Sequence, residues 1–445
     1  MDVQVQRTFT TPPPPSGPPC SEVQPTIFDL VAPPYHVTVL FAYAPPNPTN
    51  TTLLHALIAT IPRFPLLTAR RILDHHTNRP LFLTGSEGNA GALVVEATVS
   101  SPLSDHLPLT PSPDLERLHP PVDKATPHVL VLQLNRFACG GLVIASSAHH
   151  QAADGYSMSL FLHAWADAVR FGAAPPLDYL SNHDIDVVPY GPSAIAPRRP
   201  PRCEFEHRGV EFLPLDAAPR PVPARVHPSE ITNLMLHYTA KHVAELKAQA
   251  QDRYTTFETL AAHLWRKITV ARSRAGDDDY RTALNVTVNG RARLGTDSIP
   301  KGLFGNAVLT ASSGKASARA VVEEGTLADA AAMVRAGVRA RDRRYFQSFI
   351  DFGELHGDEE MEPMVGDEDN VLLPDVAVDS WLHLELHRLD FGCGGRLVGI
   401  LPAHSPLDGV VVLIPSLRKE GGVDVFVALW DKHAEVVRDI AYTMK

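Results

Sequence analysis

The apolar positions of this chain change period several times. In "TTLLHALIATI", from Thr51, the residues Leu54, Leu57, Ile58 and Ile61 recur at helical spacing, and Pro62 and Pro65 close the segment. "HVLVLQLNRF" and "GGLVIASSAH", starting at His128 and Gly140, are rich in β-branched residues and predict two strands joined through "ACGG". From Tyr156 the helical period returns through Leu160, Ala164, Trp165 and Ala168. The second half repeats the mixture. Thr255 and Glu258 make a capping-box pattern at the head of "TTFETLAAHLWRKITVA". "LNVTVNG" from Leu284 and "FGNAVLTA" from Phe304 predict strands, and "ARAVVEEGTLADAAAMVRAGVRA" from Ala318 predicts a helix. This alternation in both halves predicts an α/β protein of two comparable domains around a cleft.

Proline punctuation divides the chain. "PPPPSGPP" near the start reads as an extended lead-in, and the stretch from Val187 to Phe205 is too proline-rich for a long helix. The expected division is residues 1–186, a crossover at 187–215, and residues 216–445. A chain of 445 residues is long for one core, which agrees. The strongest apolar run, "GVVVLI" from Gly409, is strand-sized, so no membrane span is expected. The N-terminal residues lack the charged-then-apolar pattern of a secretory signal. Four cysteines without CxxC spacing indicate neither a zinc ribbon nor a disulfide framework, and a reducing, cytoplasmic setting is expected. A net charge of −10 with no basic block disfavours nucleic acid as a partner.

One stretch carries candidate chemistry: "SSAHHQAADGYSM", Ser146 to Met158. HxxxD spacing alone says little, because His119/Asp123, His163/Asp167 and His404/Asp408 share it with His150/Asp154. The first lies in a proline loop. The second falls inside a predicted helix and reads as a surface pair. The third, "HSPLDG", reads as a hairpin turn. His150/Asp154 instead ends an apolar strand, has a small-residue spacer, and is followed by Gly155 and a helix. Strand-to-helix turns are where α/β proteins place reactive groups. Residue types alone leave a general base and an ordinary polar strand end both open. A metal site is disfavoured, because the adjacent His149 and His150 point to opposite faces of a strand. Neither GxSxG, a Walker loop nor GxGxxG occurs.

A second motif decides between the readings. "LDFGCGG", Leu389 to Gly395, follows "DSWLHLELHR". HHQAADG and DFGCG at this separation resemble the plant BAHD acyltransferases, which use acyl-CoA donors. "FETLAAHLWR", "NGRARL", "GLFGNAV" and the Ser380–Trp381 pair agree, from "TIFDLV" at Thr26 to Leu429–Trp430. Cys393 departs from the family's usual Trp. "TIFDLVAPPYHVTVLFAYAPP", "FACGGL" and "PPRCEFEHRGVEF" resemble the monocot branch that moves hydroxycinnamoyl groups onto agmatine, putrescine or tryptamine.

The resemblance implies two chloramphenicol-acetyltransferase-like domains, each a mixed sheet with flanking helices, and a channel at their interface. It implies a monomer with small-molecule substrates, no permanently bound cofactor, and acyl-CoA as co-substrate. His150 becomes a general base in direct transfer. Asp154 becomes loop support through an Arg, Asp390 a partner of Arg291, and Gly155, Gly392 and Gly394 backbone formers. Trp381 is the positional candidate for oxyanion stabilisation. His36, Thr38, Asp379 and Ser380 fall on the acceptor side. Asp379 immediately precedes Ser380–Trp381, where relatives that use shikimate carry a hydroxyl residue on the acceptor side, with an Arg upstream, near Gly366 in "VGDEDN" here. Loss of that Arg and gain of acid point to a cationic acceptor. Thr255, Thr256 and Arg266 are candidate CoA contacts at a helix start, where plain capping serves equally.

Overall fold

In a computed structural model, the residues described are 1–13, 19–74, 79–121, 126–172, 194–214, 226–273, 280–300, 302–357, 359, 361–364 and 374–444. The Gly366 position and Asp123 lie outside them, as does much of the expected crossover.

Both predicted strands of the first half form, as Leu130–Phe137 and Leu142–His149, paired antiparallel through a turn in which Gly140 takes φ 81°. The strand Leu142–His149 is buried along its whole length. It is interior to a six-stranded sheet, flanked by Leu130–Phe137 and His36–Ala44. The helix Asn50–Thr60 buries Leu53, Leu54 and Leu57, whereas Ile58 is 39% exposed. The apolar face is thus rotated toward Leu53 from the expected one. The helix Gly155–Phe171 lays Leu160, Phe161 and Trp165 into the same core. His163 is buried in that helix rather than on its surface, where the pair with Asp167 was expected.

The second half builds its own six-stranded sheet, in the order Val308–Ser312, Leu284–Asn289, Val376–Ser380, Val410–Pro415, Val423–Trp430 and Ile231–Tyr238. Alternation along a strand gives this sheet two different faces. Val376, Val378, Val411, Leu413, Val425 and Val427 join a core with Trp265 of the helix Thr256–Ser273. Val412, Ile414, Phe426 and Ala428 point the other way, into the core of the first half. The predicted helix from Ala318 is broken into a π-turn, Ala320–Glu324, and a helix Leu327–Ala340 capped by Thr326 and Asp329. Gly325 sits at the break, where a Cβ would lie 2.7 Å from the Ala320 carbonyl oxygen.

The chain crosses between the two sheets late in the second half. The strand Arg396–Pro402 belongs by sequence to the second half but pairs with His36–Ala44 at the edge of the first sheet. "HSPLDG" is therefore a crossing between sheets and not a hairpin. Asp408, at its end, is buried, binds Arg272 at 2.6 Å and accepts from the Trp430 backbone N–H at 2.8 Å.

Candidate active site

The first sheet delivers His149 at the end of a strand, and the chain then turns. Ala152 N–H donates to the His149 carbonyl and Ala153 N–H to that of His150. Asp154 caps the next helix, its Oδ1 accepting from Ser157 N–H at 2.9 Å. Gln151, Ala152 and Ala153 between them are buried. Gly155 is held small from the other half of the molecule, since a Cβ there would lie 3.1 Å from Leu384 Cδ1.

His150 itself is half-buried, and its two ring nitrogens differ. Nδ1 is enclosed without a hydrogen-bond partner, whereas Nε2 is the nitrogen left open. Asp154 does not serve this imidazole. Its Oδ2 accepts from Arg291 Nη1 at 2.7 Å and Ala307 N–H at 3.0 Å, with both charged groups nearly inaccessible. Arg291 also donates to Ser157 Oγ and to the carbonyls of Leu303 and Gly305, and lies 4.7 Å from the Tyr156 ring. A carboxylate with this many donors is a clasp between halves rather than a proton carrier.

Asp390 does not pair with Arg291. It lies 3.5 Å from Arg170 Nε and accepts from the Gly392 backbone N–H at 2.8 Å. Arg170 stands near the far end of the helix that Asp154 caps, about 22 Å away at ~1.5 Å per residue. The DFGCG motif is therefore remote from His150. Phe391 anchors it, edge-on to Trp165 at 4.9 Å and Tyr43 at 5.6 Å. Gly392 and Gly394 have φ 85° and 81°, backbone that favours glycine, and Cys393 between them takes φ 59° with an exposed side chain. At this position the side chain fills no core space.

His36 and Thr38 have partners inside the first sheet. His36 Nε2 donates to the His128 carbonyl at 2.9 Å, and Thr38 shares a hydrogen bond with Ser147. His36 and His149 meet edge to face at 5.0 Å. Burial pulls the His149 imidazole down to about 2, with Arg71 adding to the effect, and burial holds His36 at about 4. Both rings are therefore neutral at neutral pH. Unfolded, each would take a proton near pH 6.5. Stability should then fall as pH drops below about 6.5, on the order of 1 kcal/mol per pH unit for each ring down to about pH 4. Urea midpoints between pH 7 and 5 check this; a flat profile contradicts it.

The acceptor-side candidates lie on the second sheet. Val376 and Val378 face its helices, so Asp379 faces the first half, in register with Val412 and, beyond it, Phe426 and Met235. Asp379 is half-buried and has no ion pair or side-chain hydrogen bond among the described residues. Ser380 Oγ is buried without a partner, and Trp381 packs against the first core, its backbone N–H held by the Leu413 carbonyl. The segment 380–384 thus runs from Asp379 to the Gly155 contact beside the His150 turn.

The CoA candidates Thr255 and Arg266 have partners within the chain. Arg266 donates to the carbonyls of Val321, Val322 and Gly325, so its guanidinium is engaged in closing the π-turn. Thr255 closes its box with Glu258, which Arg335 also binds at 2.7 Å. Of the three, Thr256 alone has no side-chain hydrogen bond among the described residues.

The family model described as the Transferase family matches residues 11–444. The chain belongs to that family, the BAHD acyl-CoA-dependent acyltransferases. Among curated relatives of this BAHD enzyme, tryptamine hydroxycinnamoyltransferase 2 of Oryza sativa subsp. japonica is 36% identical over 94% of this chain and 93% of the relative. Agmatine hydroxycinnamoyltransferase 1 of the same plant is 33% identical, covering 96% and 95%. The crystal structure of vinorine synthase shares the fold, with a TM-score of 0.69 and 18% identity over 99% of this chain and 98% of that one. The α/β fold of two sheet-rich bodies is the expected one.

Asp29, Asn306 and Ser157 were not singled out by sequence as site residues. "TIFDLV" and "GLFGNAV", as pieces of the resemblance, carried the signal for Asp29 and Asn306, and Ser157 lies within "SSAHHQAADGYSM". Buried Asn306 donates through Nδ2 to Asp29 Oδ1 at 2.9 Å and to the His150 carbonyl at 2.8 Å.

Proposed function

We propose that this acyltransferase moves a hydroxycinnamoyl-type group from CoA to a cationic amine, with His150 as general base. CoA and amine meet from opposite sides of the interface between the halves. The attacking amine nitrogen, in its neutral form, adds to the thioester carbonyl and a C–N bond forms. His150 Nε2 takes the proton from that nitrogen. The tetrahedral oxyanion collapses, the C–S bond breaks, and the proton passes from the imidazolium to the CoA thiolate. Transfer is direct, without an acyl-enzyme, and Trp381 is the candidate donor toward the oxyanion.

The observation that carries the amine reading is Asp379, a half-buried carboxylate without a cation of its own. An acceptor with a second positive group supplies that cation. The names of the relatives support an amine acceptor but not a choice among amines. Asp379→Asn should raise KM for agmatine roughly 10- to 100-fold, from the ~1.5–3 kcal/mol of a hydrogen bond to a charged group. KM for tryptamine, which has no second cation, should stay within about threefold. Initial rates with p-coumaroyl-CoA and both amines test this. Equal changes remove Asp379 from the acceptor site, and turnover with alcohols alone removes the amine reading.

A further inference from the structure

We propose that Asn306, held by Asp29, is a positioning residue for His150 and fixes the catalytic imidazole through its backbone. The inference rests on His150 being the base. A histidine base is ordinarily oriented by an acceptor on its second ring nitrogen. Here His150 Nδ1 has no such partner, and the nearest acid of the motif, Asp154, is held by Arg291 and Ala307. Something other than a ring acceptor must set the imidazole.

The backbone of His150 is fixed on both sides. Its N–H donates to the Tyr35 carbonyl at 2.9 Å. Its carbonyl accepts from Asn306 Nδ2 at 2.8 Å. Asn306 is in turn oriented, because Nδ2 at 2.9 Å and its own N–H at 3.1 Å both donate to Asp29 Oδ1. Asp29 Oδ2 accepts from Thr26 N–H at 2.6 Å and from the Thr26 hydroxyl. Both Asp29 and Asn306 are fully buried. Three distant segments therefore converge on one peptide unit: the lead-in helix Ile27–Leu30, the turn after the first sheet, and the Gly305–Ala307 loop of the second half. The amide orientation follows from this geometry, since only an NH2 group can donate to both the carboxylate and the carbonyl.

Asn306→Asp keeps the shape and removes the donor. Asp29→Asn/Asn306→Asp then restores a donor–acceptor pair between the two side chains and relieves the carboxylate repulsion, but still leaves the His150 carbonyl without Asn306. With p-coumaroyl-CoA and agmatine or tryptamine, kcat per folded molecule should fall about 10- to 100-fold in both variants, as for a catalytic group misplaced by roughly 1 Å. KM for both substrates should change less than about threefold, and the double variant should regain thermal stability without regaining kcat. Asn306→Ala and Asp29→Asn, assayed alongside, keep the test readable if Asn306→Asp folds poorly. A kcat within threefold of the parent in the double variant, or a KM rise that accounts for the whole loss, overturns the proposal. A His150→Ala enzyme that still turns over removes the base assignment itself, which separates that failure from this one.

Discussion

Asp154→Ala should cost about 3–5 kcal/mol of folding stability, read from urea unfolding. The number follows from what the change leaves behind. Arg291 would keep its charge in a site where it is 7% exposed, with carbonyls and a hydroxyl but no anion around it. The helix Gly155–Phe171 would lose its cap as well, a further ~1 kcal/mol. Asp154→Ala/Arg291→Met should recover part of the loss, because the uncompensated charge is gone. Any fall in turnover should track the folded fraction. A stable Asp154→Ala protein with collapsed kcat would instead make Asp154 a member of a proton relay.

His150→Ala should behave in the opposite way. Its side chain has no hydrogen bond among the described residues, so thermal stability should change little. Turnover should drop by roughly 10²–10⁴, the usual worth of a positioned general base. Binding of CoA, followed by calorimetry, should persist. Equal losses in kcat and kcat/KM would mark an interaction made only in the transition state. Undiminished turnover would mean that another group takes the proton.

Much of the fold was legible because local pattern and burial agree. The strand ending at His149 reads as apolar along its length, and it is buried along its length. Asp154, Gly155 and the helical period after them specify the turn. What failed was long-range pairing. "RLVGILP" reads as a strand, but nothing in it says that its partner is His36–Ala44, more than three hundred residues earlier. Arg291 was placed with the wrong acid, because motif spacing does not tell which of two remote carboxylates a guanidinium reaches. Arg266 was read as an anion contact from its place in a helix, where the wheel does not reveal the carbonyls of a π-turn. Asp29 is an acid, yet it is fully buried and accepts from a residue 277 positions away. Gly290 in "NGRARL" shows the same limit. Its reason is Phe346, whose ring would lie 2.4 Å from a Cβ there, and only the folded chain shows this contact.

Among site residues, the open ring nitrogen of His150 carries the account. A crystal structure of the enzyme with CoA and agmatine tests it most directly. The reading requires His150 Nε2 within about 2.6–3.2 Å of the amine nitrogen, or joined to it through one water, with the CoA sulfur also within reach of that imidazole. An amine bound with its nitrogen elsewhere, and the His150 ring closed off from both ligands, would contradict it.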